Sequence, residues 1–419
     1  MEYKTYKYNN YNIHTINTNR FKNIHMEVVL RNNINKDTLL SEVFLIHMLM
    51  ESSNKYKTKR DIVLEQEELY DAECYISYKK VGSSLMSKLI IDFLNPKYTE
   101  DDYLEEAIKL PFELLLNPDI NNNAFNKEVF NTIYKRLENA INTQKENPSS
   151  YASLKALETM DKDSISAINI NGTIEELKRI DNNSLLASYD YLLNKSNIDI
   201  NIIGDINEEE VINIINKYAN FNDTDREEIN YYITNKERDT VIRQSESSDN
   251  SQTQLVYLYN TNNLTDYERE YVMPIFNIIL GGGTLESKLY KSLREDKSLC
   301  YGVRSAAFKY DNLLRITTGI DKSNIELAIS TIDETVKDMT NVTKQELDRA
   351  ISLYETIINM YLDDPEQILE LYFYQYIFNR DSLEKQLNTI KKVSIKEVED
   401  LYFKLKLNTI YVLEGDKHE

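Results

Sequence analysis

Residues 281–302 read Gly281-Gly282-Gly283-Thr-Leu-Glu-Ser-Lys-Leu-Tyr-Lys-Ser-Leu-Arg294-Glu-Asp-Lys-Ser-Leu-Cys-Tyr301-Gly302. The three glycines follow an apolar run at 274–280. After them the pattern predicts an amphipathic helix over 286–294, with Leu285, Leu289 and Leu293 on one side. The helix ends at Arg294, and a strand begins near Tyr301. A glycine turn, a helix, an arginine and a strand tyrosine at fixed spacing are more specific together than any one of them alone.

Outward from this stretch the chain reads as two similar halves. In the first, alternating runs predict strands over 12–18, 23–30, 73–80 and 85–93. Asp37 is the expected cap of a helix through Leu40, Phe44, His47 and Leu49. A second helix is expected over 60–70. Helices then dominate from 99 to about 217, interrupted by a short apolar strand at 198–203 that ends in Gly204-Asp205. The second half repeats the order. A strand is expected over 254–259, a helix over 267–280, and the glycine turn and short helix follow. Strands come next over 300–310 and 313–320, then helices from 324 to 405. A closing strand at 409–413 runs into Gly415-Asp416. Residues 222–251 are rich in Asp, Glu, Asn, Ser and Thr and form the candidate linker, with 231–234 as a candidate extra strand. The expected division is 1–222, 223–251 and 252–419. Strand runs followed by helix runs predict an α+β fold, two α/β sandwich domains each with an antiparallel-rich sheet covered by helices.

Composition narrows the function classes. A chain of 419 residues exceeds one ordinary core. The formal net charge of -20 disfavours nucleic-acid binding, for which a basic patch is expected. It favours solubility first and basic peptides or partners second. Cys74 and Cys300 form no metal-binding spacing, which fits a reduced intracellular protein. The first residues lack the apolar stretch of a signal peptide, and no run reaches the roughly 18 apolar residues that span a bilayer. Cytoplasmic localisation without membrane contact is the expectation.

The 281–302 stretch resembles the second half of the inverted-motif zinc peptidases: insulinase, pitrilysin and the mitochondrial processing peptidase. The resemblance implies two homologous α+β domains joined by a linker. It also implies that Arg294 and Tyr301 hold substrate peptide, with Gly281, Gly282 and Gly283 permitting close packing near the site. In the first half the family carries H-x-x-E-H on a helix. Two histidines four positions apart share one helix face and reach one zinc, and the glutamate is the general base. The matching stretch here is Val43-Phe44-Leu45-Ile46-His47-Met48-Leu49. It resembles the family's H-F-L-E-H-M-L, with Val43 in place of the first histidine and Ile46 in place of the glutamate. The later zinc-binding glutamate aligns with Ala140. Only His47 remains, with Glu51 four residues on, which falls short of the usual three protein ligands. His14, His25 and His418 follow no ligand spacing.

Some members of the family work as pairs of related chains, one with the intact motif and one with a degraded motif that keeps the Arg/Tyr pair. This chain resembles the second kind, particularly its bacterial versions. The resemblance implies a zinc-less subunit that positions peptide for a homologous zinc-bearing partner, with no cofactor of its own. A scaffold without enzymology and an autonomous zinc protease are the alternatives. Val43 and Ile46 weigh against the last, and Arg294 with Tyr301 against the first.

Overall fold

The computed structural model describes residues 1–416. His418 therefore lies outside the described residues. Two units emerge. Unit 1 contains residues 1–142, 170–230 and 361–380, and unit 2 contains 143–169, 231–360 and 381 onward.

Unit 1 is built on a six-stranded sheet. Its strands are β1 (Tyr3–Lys7), β2 (Asn12–Asn17), β3 (Asn23–Asn33), β4 (Glu73–Val81), β5 (Ser84–Leu94) and β8 (Asn197–Gly204), in the order β1-β2-β8-β3-β5-β4. A separate two-stranded ribbon pairs β6 (Ile120–Asn121) with β7 (Ala124–Phe125). Strand side chains alternate between faces. Ile24, Met26, Val28 and Leu30 of β3 thus join Leu89, Ile91, Phe93, Ile198, Ile200 and Ile202 in one core. The helices Leu39–Leu49, Leu104–Leu116 and Asn182–Lys195 cover that face.

Unit 2 has a five-stranded sheet. Its strands are β9 (Ile242–Ser248), β10 (Thr253–Asn260), β11 (Cys300–Phe308), β12 (Leu313–Ile320) and β13 (Lys406–Gly415), in the order β11-β12-β10-β13-β9. Leu255, Tyr257, Leu314, Ile316, Ile410 and Val412 face the helices Met273–Leu280, Ile325–Lys337 and Ile395–Tyr402. The two sheets repeat one plan. The antiparallel run β4-β5-β3-β8 corresponds to β11-β12-β10-β13. In each sheet a parallel strand then follows, β2 beside β8 and β9 beside β13. The expected α+β class holds.

Neither unit is continuous in the chain. The helix Pro148–Asp161 belongs to unit 2, although the expected first domain ran to 222, and the helix Pro365–Ile377 belongs to unit 1. Each covers the sheet face opposite the main helices, so each sheet becomes the middle of three layers. Nor is 223–251 all linker, because Ile242–Ser248 pairs with β13. This strand reads Ile-Arg-Gln-Ser-Glu-Ser-Ser and shows no apolar alternation, while 231–234 forms no strand. Two further differences are local. Thr38, not Asp37, caps the helix Leu39–Leu49, and its hydroxyl donates to Glu42. Leu285 lies outside the helical turns and is 65% exposed, whereas Leu289 and Leu293 are fully buried.

Candidate functional site

The glycine turn is shaped by close approaches. Asn277 Oδ1 accepts a hydrogen bond from Ser305 Oγ at 2.8 Å. The Asn277 carbonyl accepts from the Gly281 and Gly282 amides at 3.0 and 2.7 Å. Ser305 N then donates to the Gly281 carbonyl at 2.9 Å, which ties the turn to β11. A Cβ on Gly281 would come within 2.8 Å of Leu289 and 3.0 Å of Ser305 N, and one on Gly282 within 2.8 Å of the Asn277 carbonyl oxygen. Gly283 has φ +108, a backbone state that L side chains rarely adopt. The glycines are thus explained by packing and backbone shape.

Beyond the turn the chain is wound more widely than an α-helix. Lys288–Tyr290 is a short α-helical piece, and Lys291–Asp296 is a π-helical turn that carries Arg294. Such turns recur at functional sites. The Arg294 guanidinium lies 5.0 Å from the Tyr290 ring centroid, a cation–π contact. One of its Nη atoms donates to the Tyr301 carbonyl at 2.6 Å. Tyr301 itself is 81% exposed at the start of β11. The strand bulges here: Cys300 opposes Ile320, but Val303 already opposes Thr318. A bulge inserts one residue and re-aims side chains. Before it Cys300 is buried, and after it Val303, Ser305 and Ala307 turn toward the helices. Arg294 and Tyr301 are therefore brought together by a hydrogen bond the sequence did not reveal, and the bulge lies beside them.

The helix Leu39–Leu49 carries the degraded motif. Val43 and Ile46 are fully buried in the unit 1 core. His47 is half-buried, with Nε2 3.2 Å from the Tyr78 hydroxyl and the two rings edge to face at 5.5 Å. Burial pushes its pKa down, the nearby Arg136 guanidinium pushes it further, and Glu51 opposes both. Arg136 donates to Glu51 Oε1 at 3.1 Å. Arg136 and the exposed Ala140 share the helix Lys127–Asn142. The carboxylate nearest in sequence that could assist His47 is thus engaged by a cation. The residues around His47 do not fit a catalytic zinc, and no group of three or more His, Cys, Asp or Glu among the described residues is placed to hold a metal ion. Sequence reasoning missed the Arg136–Glu51 pair because the partners are 85 positions apart.

Comparison with known proteins gives this geometry a family context. The family described as the peptidase M16 inactive domain matches residues 179–354, a span that includes Arg294 and Tyr301. Over that span the chain is similar to the M16, insulinase-like peptidases. Among the proteins it resembles is the probable inactive metalloprotease YmfF of Bacillus subtilis (strain 168), 24% identical over 411 residues, covering 96% of this chain and 95% of YmfF. The uncharacterized zinc protease YmxG of the same organism is 26% identical over 148 residues, covering 32% of this chain and 34% of YmxG. A solved structure of a conserved protein from Enterococcus faecalis V583 superposes with a TM-score of 0.90 at 24% identity, covering 100% of this chain and 99% of that one. That likeness shows a fold shared over the whole chain. The inactive-domain match and the inactive relative support a non-catalytic homologue. No helix among the described residues is long and apolar enough to cross a membrane.

Proposed function

We propose that this chain is the zinc-less, peptide-positioning subunit of a two-chain zinc peptidase, with zinc and the general base supplied by a homologous partner. The observation that carries the reading is the Arg294–Tyr301 arrangement. A guanidinium is pinned to the backbone at the start of an edge strand, beside an exposed phenol. An extended peptide presents carbonyl oxygens. Arginine retains donors beyond the one given to Tyr301, and tyrosine adds a hydroxyl. Aimed at a scissile carbonyl, such donors stabilise charge on its oxygen. They do not activate water, and the buried Val43 and Ile46 leave this chain without a base at the motif. The presence of both an inactive homologue and a zinc-protease homologue in one bacterium is consistent with a division of labour.

The test is reconstitution. Co-expression with an intact-motif homologue from the same genome is expected to give a stable complex burying on the order of 2,000 Å². Arg294→Ala and Tyr301→Phe are each expected to lower peptide cleavage by roughly 10- to 1,000-fold without dissolving the complex. Arg294→Lys is expected to rescue only in part, because an ammonium lacks the planar fork. Full activity in the double variant would leave this chain a scaffold. A monomer beside every such homologue would refute the pairing.

A further inference from the structure

The backbone under Arg294 is anchored through two leucines. Leu289 and Leu293 are fully buried in the core of unit 2. Tyr290 and Arg294 are the next residues along, again four apart, so they are neighbours on the adjoining face of the helical turns. Tyr290 closes the α-helical piece Lys288–Tyr290, and Arg294 lies in the π-helical turn Lys291–Asp296 that follows. Tyr290 is half-buried and Arg294 is exposed. The guanidinium meets two groups. Its carbon lies 5.0 Å from the Tyr290 ring centroid, and one Nη donates to the Tyr301 carbonyl at 2.6 Å.

Neither group is an acid. Asp and Glu outnumber Lys and Arg 69 to 49 in this chain, and other exposed arginines take carboxylates. Arg136 meets Glu51, Arg243 meets Glu326 and Arg349 meets Glu286. Among the described residues no carboxylate forms a salt bridge with Arg294, although Glu295 and Asp296 follow it directly. A carboxylate would hold the guanidinium and also cancel its charge. A ring face and a neutral carbonyl hold it and leave the charge in place. Without such contacts a long exposed side chain populates many rotamers. Packing of the arginine stem is the simpler account of an aromatic neighbour. It does not explain why both partners of this guanidinium are uncharged.

We propose that Tyr290 is a positioning residue, whose ring holds the Arg294 guanidinium at the Tyr301 carbonyl with its charge uncancelled. The inference rests on the subunit reading above for what the arginine then meets, a peptide carbonyl oxygen. It adds a residue to that site and divides the roles within it. Tyr290 touches no substrate and acts through Arg294. One hydrogen bond to the Tyr301 carbonyl leaves the planar fork free to turn about that bond. The ring face beside the guanidinium removes this freedom. Of the donors on the fork, one is given to the carbonyl, and the others stay available for a ligand oxygen. Such donors act on developing charge only when they are held in place beforehand. The contact is made by the ring, so the Tyr290 hydroxyl is dispensable.

Two measurements test this. On the full chain without any partner, phenylglyoxal modifies arginines faster when the guanidinium is mobile and uncovered, and mass spectrometry of the digest reads each arginine separately. Tyr290→Leu is expected to speed modification of Arg294 about threefold, with Arg349 as the internal reference. Tyr290→Phe keeps the ring and is expected to keep the slow rate. Tyr290→Met repeats the loss of the ring in a longer side chain, and thermal melting checks that each variant folds. An equal or slower Arg294 rate in the Leu and Met variants would overturn the proposal, as would a Tyr290→Phe that behaves like Tyr290→Leu. In the reconstituted pair, Tyr290→Leu is expected to lower kcat about three- to tenfold, the range of one cation–π contact, with little change in KM. Tyr290→Phe is expected to recover most of that loss. In the Arg294→Ala background, Tyr290→Leu is expected to cost nothing further. A loss that persists there would overturn the proposal, because Tyr290 would then act other than through Arg294. Failure of the subunit reading is distinguishable: Arg294→Ala would leave cleavage unaltered, while the hold of Tyr290 on Arg294 is still read from the chain alone.

Discussion

The two units dock their exchanged helices by opposite means. In unit 2 the helix Pro148–Asp161 covers an apolar face, with Ala152, Ala156 and Met160 on Val256, Leu258 and Leu413. Its polar contribution is peripheral: Glu246 accepts from the hydroxyls of Tyr151 and Tyr411 at 3.0 and 2.6 Å. In unit 1 the helix Pro365–Ile377 covers charge. Asp199, fully buried, accepts from Arg31 at 2.6 Å and lies 3.0 Å from His14 Nε2. Glu27 accepts from Lys88 at 2.7 Å and lies 3.4 Å from His25. His25 in turn lies 2.7 Å from Asp92. The helix joins this network through Glu370, which meets Lys79 at 2.7 Å and Lys88 at 3.7 Å, and Phe373, whose ring lies 5.4 Å from Arg31. A small apolar anchor lies beneath it, Ile16, Ile203, Ile368 and Leu369, with Tyr3, Phe21, Leu362 and Tyr372 packed against them.

One fold is thus closed with two kinds of specificity. Apolar burial is non-directional and tolerates sliding, whereas buried ion pairs are costly unless every partner is in place. Helix 365–377 is held in one register by charges. Helix 148–161 is held by area.

Removing one partner of the buried network is expected to have the largest effect. Asp199→Asn removes the buried charge that Arg31 faces and is expected to destabilise unit 1 by about 3–5 kcal/mol. Urea unfolding measures the loss, and hydrogen exchange should localise it to 361–380 rather than 148–161. Exchange that rises equally in both segments would break the comparison.

Next is the apolar counterpart. Leu258→Ala is expected to cost about 2–4 kcal/mol, by lost transfer energy and a residual cavity. It should raise exchange in 148–161 and leave 361–380 unchanged.

The third test is pH. Burial alone would push the His25 pKa down, but its hydrogen bonds to Asp92 and Glu27 outweigh burial and hold it up at about 9. A raised histidine contributes stability that is fully present below its ordinary value, about 6.5, and is lost as pH rises through about 9. For Glu27, burial acts upward, but the Lys88 charge and the His25 hydrogen bond outweigh it and bring the pKa down to about 2. Its contribution is present above about 4.5 and is lost as pH falls through about 2. Unit 1 is therefore expected to be most stable between about pH 4.5 and 6.5, and to lose on the order of 2 kcal/mol toward pH 9. His25→Gln should flatten the alkaline limb, and the exchange of 148–161 should lack it. An unchanged profile in His25→Gln would remove His25 from the account.

The smallest effect is expected on the other face of the unit 1 sheet. His47→Ala removes one hydrogen bond, to Tyr78, and should cost about 1 kcal/mol. Val43→His combined with Ile46→Glu is expected to bind no stoichiometric zinc, because Arg136 occupies Glu51 and Ala140 offers no ligand. Elemental analysis after dialysis checks this. One tightly held zinc per chain in the unaltered protein, lost in His47→Ala, would overturn the zinc-less reading.

Much of this architecture is legible in the residues themselves. Alternation with apolar neighbours marks a half-buried strand at 313–320, and β12 spans Leu313–Ile320. The strand expected at 198–203 is found as Asn197–Gly204, slightly longer at each end. The loss of chemistry at Val43 and Ile46 is likewise a matter of residue type, since neither side chain can bind zinc or carry a proton. β9 is not legible. Its polar residues gain their strand conformation from hydrogen bonds to β13, 167 positions away. The π-helical turn under Arg294 has no local signature in Lys-Ser-Leu-Arg-Glu-Asp.

Local pattern alone settles the repeated α+β plan, the positions of most strands, and the absence of a histidine and a glutamate at the motif. These follow from periodicity and side-chain chemistry. Long-range contacts settle the rest: which helix covers which sheet, that Arg136 engages Glu51 beside His47, and that Arg294 grips the Tyr301 carbonyl. All of these depend on strand register and on pairing between distant segments. A shift of one residue in register turns a side chain to the other face, so no local pattern carries that information.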